Sequence, residues 1–200
     1  MNKFALLLAG VVFTGTAFAA PPTYLEFAYI TGGENNQRGG NDEKNGIEIA
    51  GSWGFNENWY AGGMIGSYDT DGPDYDYINI NGGYSQSLNE KLTMILEGGL
   101  WFGDRSAALP AGDGDPTAIE AKVGLNTMLS DKLGLFGTFS LVGGDLDNVV
   151  GNDDLSNFIW SLGGSYSFNE NLSLSVKLVD GVNGVNGQDE VLRIGGRYTF

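Results

Sequence analysis

Any chemistry in this chain must come from carboxylates, amines, guanidinium groups and hydroxyls, because its 200 residues include no Cys and no His. Without Cys there is no disulfide and no thiol nucleophile. Without His, the Ser-His and Asp-His hydrolytic relays and most zinc sites are excluded. Two groups of the remaining side chains stand out. The first is Glu26, Glu48, Glu97, Glu120, Lys122, Lys177, Arg193 and Arg197, four acids against four bases within otherwise alternating segments. Glu97 and Glu120 are the candidate carboxylate pair for acid–base catalysis, but with bases close by, ion pairing explains them more simply. The second is DTDGPDYD, which places Asp69, Asp71, Asp74 and Asp76 around a glycine, with Asp113 and Asp115 following in GDGDP. Hard cations take such oxygen ligands. No Glu closes the loop at the EF-hand distance, so the expectation is loose divalent-cation binding on a solvated acidic face, with no specific metal site and no cofactor.

The elements that carry these groups are strands. Four stretches repeat one pattern: GFNENWY, SLNEKLT, MLSDKLG and SFNENLS. In each, an apolar residue precedes three polar ones and another apolar residue follows, which reads as a tight β-hairpin turn between alternating runs. Five longer polar stretches separate them: TGGENNQRGGNDEKN, DTDGPDYD, GDRSAALPAGDGDP, GGDLDNVVGNDD and DGVNGVNGQDE. Four turns and five loops make nine connections and so ten strands. An even strand number with short turns at one end and long loops at the other is the pattern of an outer-membrane barrel.

The faces agree with that reading. Stepping by two back from Phe200 puts Tyr198, Ile194 and Leu192 outward and Arg197 and Arg193 inward. The same step gives Leu172, Leu174, Val176 and Leu178 against Ser173, Ser175 and Lys177, and Ile119, Ala121, Val123 and Leu125 against Glu120, Lys122 and Asn126. Ile95 and Trp101 fall inward against the trend, and WYAGGMIGSY has no clear face. A soluble β-sandwich also alternates. The membrane reading is favoured by the aromatics beside the short turns (Trp53, Phe55, Trp59, Tyr166, Phe168, Tyr198, Phe200), which resemble an interfacial girdle, by the unequal connections, and by the terminal Phe. The 33 glycines, about twice the usual share, sit inside the alternating segments and mark bends or close backbone approach.

Residues 1–19 read as an export signal, with Lys3, an apolar FALLLAGVVF and a small-residue AFA site. A membrane anchor is the alternative, but the apolar run is short for a span. Residues 20–200 then form the barrel. The net charge of −15 argues against nucleic acid. It lies mostly in the loops, where the only bases are Arg38, Lys44 and Arg105, so expected partners are membrane lipids, the phosphates of lipopolysaccharide through loosely held divalent ions, and the barrel-assembly machinery. The eight inward charges read as a salt-bridged, polar lumen; a selectivity constriction in a narrow channel is the other reading. Glu26 faces Arg197 or Arg193 across the closing pair, and Glu97, Glu120 and Lys122 lie on neighbouring strands.

YLEFAYI, GSWGFNENWYAGGMIGSYD, LNEKL, MLSDKLGLFG and VLRIGGRYTF resemble segments of small outer-membrane barrel proteins of Gram-negative bacteria, one branch of which was named for a supposed role in triggering plant immunity. The resemblance covers nearly all of the chain beyond the signal. It implies an outer-membrane location, no established enzymatic activity and no agreed ligand. Proteases of the omptin type also have ten strands, but their chemistry requires a His. Leu192, Ile194, Tyr198 and Phe200 resemble the C-terminal assembly signal of such proteins, with Gly196 as a gap. Deleting Phe200 should therefore lower the yield in the outer membrane while the molecules that assemble keep their heat-dependent gel shift; a normal yield would remove the assembly role.

Overall fold

The computed structural model describes residues 23–32, 44–69, 74–106, 116–146, 155–182 and 191–200. They form ten strands: β1 (Tyr24–Gly32), β2 (Lys44–Gly54), β3 (Trp59–Asp69), β4 (Asp74–Ser87), β5 (Leu92–Ser106), β6 (Pro116–Met128), β7 (Leu133–Leu146), β8 (Leu155–Ser167), β9 (Leu172–Val182) and β10 (Val191–Thr199). Each is antiparallel to its chain neighbours, and β10 returns to pair with β1, from Tyr24 opposite Thr199 to Thr31 opposite Leu192. The sheet is a closed barrel, as the count of turns and loops predicts. Residues 1–19 lie outside the described residues.

The four turns share one hydrogen-bond scheme. The N–H of Phe55, Leu88, Leu129 and Phe168 donates to the C=O four residues on, at 2.8–3.1 Å. The first polar residue of each turn accepts from the backbone two and three residues ahead: Asn56 from Asn58 and Trp59, Asn89 from Lys91 and Leu92, Ser130 from Lys132 and Leu133, Asn169 from Asn171 and Leu172. Only a short side chain with an acceptor oxygen closes such a turn, which is why Asn or Ser recurs there. The last polar residue ties each hairpin to the next, as where the Ser85 N–H donates to the Asn58 C=O and the Met128 N–H to the Lys91 C=O.

The outer face is apolar. Leu25, Phe27, Ile47, Ile49, Ile65, Leu125, Leu141, Leu162 and Ile194 are all exposed there. Trp59 with Tyr84, Tyr166 with Phe168, and Tyr198 with Phe200 make edge contacts at 5.1–5.3 Å beside the short turns. The strand without a clear face in sequence, β3, resolves with Tyr60 and Met64 inward and Trp59 and Ile65 outward.

Three inward aromatics lie flat against glycines directly opposite them: Tyr60 on Gly83, Tyr77 on Gly66 and Phe136 on Gly163. A Cβ at any of these glycines would collide with the ring. Close approach, more than bending, is what these glycines supply.

The strands run further toward the loops than the alternation suggests. Lys44, Asp69, Asp74, Asp76, Asp104, Arg105, Asp145 and Asp180, read as loop residues in sequence, all lie within strands, and Asp180 is buried. Polarity marked them as loop, but a strand that has left the hydrocarbon layer no longer needs apolar residues on its outer face.

Gly66→Ala should displace the Tyr77 ring and lower the urea midpoint by the equivalent of about 1–3 kcal/mol, the usual cost of overpacking. In Tyr77→Ala the same change should cost much less. Strictly additive effects in this cycle would show that the ring does not depend on the missing Cβ.

Candidate functional site

The lumen is stacked in three layers. Nearest the short turns, Tyr24, Tyr60 and Ile95 form a buried apolar cluster. Nearest the loops, a second cluster takes one residue from every strand: Ile30, Ala50, Met64, Tyr77, Trp101, Ala118, Val142, Ile159, Val179 and Val191, with Ala50 and Met64 lying deeper. Between the clusters lie the charges.

All eight sequence-identified charges are buried, none more than 6% exposed. Arg197 donates to Glu26 Oε2 from Nε at 2.8 Å and from Nη2 at 2.5 Å, and its guanidinium lies 3.7 Å from the Tyr24 ring centre. Arg193 pairs with Glu48 instead, spanning β1 from β10 to β2. On β1 the pair passes between Ile30, opposite Arg193, and Ala28, opposite Glu48. Lys122 Nζ sits 2.7 Å from Glu97 and 3.4 Å from Glu120, so one ammonium serves two carboxylates. Lys177 is buried on β9, opposite Arg193 in the register.

The aromatics bind the layers together. Tyr60 donates its hydroxyl to Glu97 at 3.2 Å, Tyr77 to Glu48 at 2.7 Å, and the Trp101 indole N–H to Glu120 at 3.0 Å. Each acid is thus ion-paired with a base, and three of the four also take a hydrogen bond from an aromatic donor. That is the condition under which buried charge is tolerated.

The lumen is therefore less uniformly polar than the sequence suggests. Ile95 and Trp101, the two inward exceptions there, belong to opposite apolar layers, and Trp101 is almost completely buried. Val142, Ile159, Val179 and Val191 have the inward parity in sequence but no sign of sharing a layer, because strand register decides that.

The acidic stretch is less concentrated than its spacing suggests. Asp69 and Asp76 are exposed on β3 and β4, and Asp76 lies opposite Asp104. Asp71 lies outside the described residues, as do Asp113 and Asp115. Among the described residues no group of three or more acids is placed to hold a metal ion. The assembly-signal positions Leu192, Ile194, Tyr198 and Phe200 are exposed on the outer face of the closing strand, and the Phe200 N–H donates to the Thr23 C=O at 2.9 Å.

No family profile and no curated relative matches the sequence. Among solved structures, an outer-membrane channel from Pseudomonas putida F1 superposes with a TM-score of 0.61 at 10% identity, covering 96% of this chain and all of that one. The translocator domain of the autotransporter NalP from Neisseria meningitidis and the KdgM porin each give a TM-score of 0.49, at 12% and 9% identity; they cover 92% and 88% of this chain and 91% and 99% of their own. The chain has the fold of outer-membrane barrels, a fold that by itself assigns no activity.

Lys122→Met leaves Glu97 and Glu120 buried without the cation between them. The loss expected is about 3–5 kcal/mol, typical of breaking a buried pair from one side, read as a fall in the unfolding midpoint. Adding Glu97→Gln and Glu120→Gln should recover most of it. A midpoint unmoved by Lys122→Met would show that the ammonium does not hold this cluster.

Proposed function

We propose that this chain is a non-enzymatic outer-membrane barrel of a Gram-negative bacterium, exported by a signal at residues 1–19 that is then cleaved, and that its role is structural or lies in what its outer loops meet. The observation that carries this reading is the filling of the lumen. Catalytic carboxylates need access to substrate, whereas Glu97 and Glu120 are enclosed by Lys122, Tyr60 and Trp101. Above them the ten-strand apolar layer crosses the lumen. Lipids and lipopolysaccharide at the apolar wall and acidic rim, loosely held divalent ions, and the assembly machinery at the closing strand are the partners this reading supplies. The resemblance to small outer-membrane barrel proteins of Gram-negative bacteria agrees with an outer-membrane location and supplies no enzymatic activity.

A second reading, a narrow and weakly selective channel, is supported by the common fold with an outer-membrane channel and by the polar lining beneath the apolar layer. Planar-bilayer recordings separate the two. The filled lumen predicts no steady conductance from purified, folded barrels. Regular single-channel steps from the wild-type protein would sink the closed reading in favour of the channel.

A further inference from the structure

We infer that the outer wall carries a docking groove for one membrane lipid with a primary-amine headgroup, its acyl chain lying over Ile49, Ile65, Ile78 and Phe102 and its ammonium held between Asp76 and Asp104. This rests on the outer-membrane placement proposed above and gives the acidic rim a specific lipid partner. Four observations carry it.

The groove is built by strand register. On the outer faces of β2 to β5, Ile49, Ile65, Ile78 and Phe102 stand in one cross-strand row, and Ser67, Asp76 and Asp104 stand in the next row toward the loops. All of them border a groove of about 510 Å³. The next row toward the short turns begins with Gly51 and Gly63, opposite each other on β2 and β3. No side chain there stops an acyl chain from running on down the wall.

The two acids call for a cation. Asp76 and Asp104 are exposed and directly opposite one another, and like charges so placed destabilise a sheet. Among the described residues no Lys or Arg has the outward parity on β2 to β5. A cation from outside the chain relieves the repulsion.

The depth is that of a lipid. Strands β4 and β5 have 14 and 15 residues, more than the about 9–11 that a tilted strand needs to cross. Asp76 and Asp104 lie in that excess, and the isoleucines and Phe102 lie on its hydrocarbon side. Groove and charge therefore meet in the order in which a lipid presents chain and headgroup.

The donor set fits an ammonium better than a metal. A hard divalent cation such as calcium takes about six to eight oxygens, and among the described residues no group of three or more acids is placed to hold one. A primary ammonium needs only acceptors for its N–H donors. Asp76, Asp104 and the hydroxyl of Ser67, opposite Asp76, supply them. The lumen solves the same problem the same way, with the Lys122 ammonium between Glu97 and Glu120.

A larger groove of about 830 Å³ lies elsewhere on the outer wall, between the ring pairs Trp59–Tyr84 and Phe139–Phe158. Its charged lining residues, Glu97 and Lys122, are buried and paired with each other. It offers lipid an apolar surface without a headgroup contact, and so provides the control.

The test uses purified barrels whose gel shift shows them folded, in vesicles of equal phosphatidylethanolamine and phosphatidylglycerol with matched acyl chains. Native mass spectrometry of the released protein counts the retained lipids by headgroup. The wild type should keep phosphatidylethanolamine over phosphatidylglycerol by about two- to fivefold, the range that exposed ion pairs supply. Asp76→Asn with Asp104→Asn should abolish the preference while the gel shift stays. Ile65→Trp, which fills the groove, should abolish it as well, and Leu141→Trp in the second groove should leave it intact. Equal retention of the two lipids by the wild type, or a preference that survives either groove change, would overturn the inference. An excess of phosphatidylglycerol that requires magnesium would replace the amine by a cation-bridged phosphate and overturn it too. Barrels that fail to enter vesicles at all would overturn the outer-membrane placement with it.

Discussion

Within hydrocarbon no water is present to satisfy a backbone N–H or C=O, so a chain that crosses as strands must pair every edge. The pairing of β10 with β1 is the contact on which the rest depends. It holds Tyr24 against Thr199 at the turn side and Thr31 against Leu192 at the loop side, and only with that seam closed do the other nine pairings leave no open edge. It also brings residues far apart in the chain into the lumen together. Arg197 and Glu26 are separated by 171 positions and still share two hydrogen bonds. The closing strand thus contributes its backbone to the wall and three of its side chains, Val191, Arg193 and Arg197, to the filling.

Once the wall is closed and its outer face is apolar, polarity has one place left to go. Desolvating an ion in the interior costs several kcal/mol, and this lumen offsets that cost by pairing and by donors drawn from the apolar layers. Tyr60, Tyr77 and Trp101 are as much part of the charged belt as of the clusters that bury them, since each places its ring among apolar neighbours and its donor on a carboxylate. The glycines opposite Tyr60 and Tyr77 are part of the same solution: without a Cβ beneath the ring, the hydroxyl reaches the acid with the ring against the wall.

Much of this was legible in the sequence. The turn motif fixes strand number because Asn or Ser at its first polar position performs the same bonding four times. Parity from Phe200 assigns the faces of β6, β9 and β10 because each position alternates between lipid and lumen. β3 resisted that reading because Trp59 with Tyr60 and Met64 with Ile65 place apolar residues on both faces, one pair suited to the interface and lipid, the other to filling the lumen. The pairing of Arg193 with Glu48 was not legible at all: it spans an intervening strand, and parity says only that both point inward. Nor were the layers, since depth depends on how each strand is staggered against the next.

Stagger and length together explain why the two ends of the barrel differ. The short turns are bonded to one another at one end, so any extra residues must emerge at the other. A tilted strand needs about 9–11 residues to cross, while β4, β5 and β7 have 14, 15 and 14. The excess carries Asp76 and Asp104 on the outer face, side by side, where hydrocarbon would not tolerate them. Inside, the same loop-side rise places Trp101, Val142 and Ile159 at one layer. The acidic outer rim and the dry inner layer thus follow from a single asymmetry: turns tie one end of the sheet, and strand length is free to grow only toward the loops.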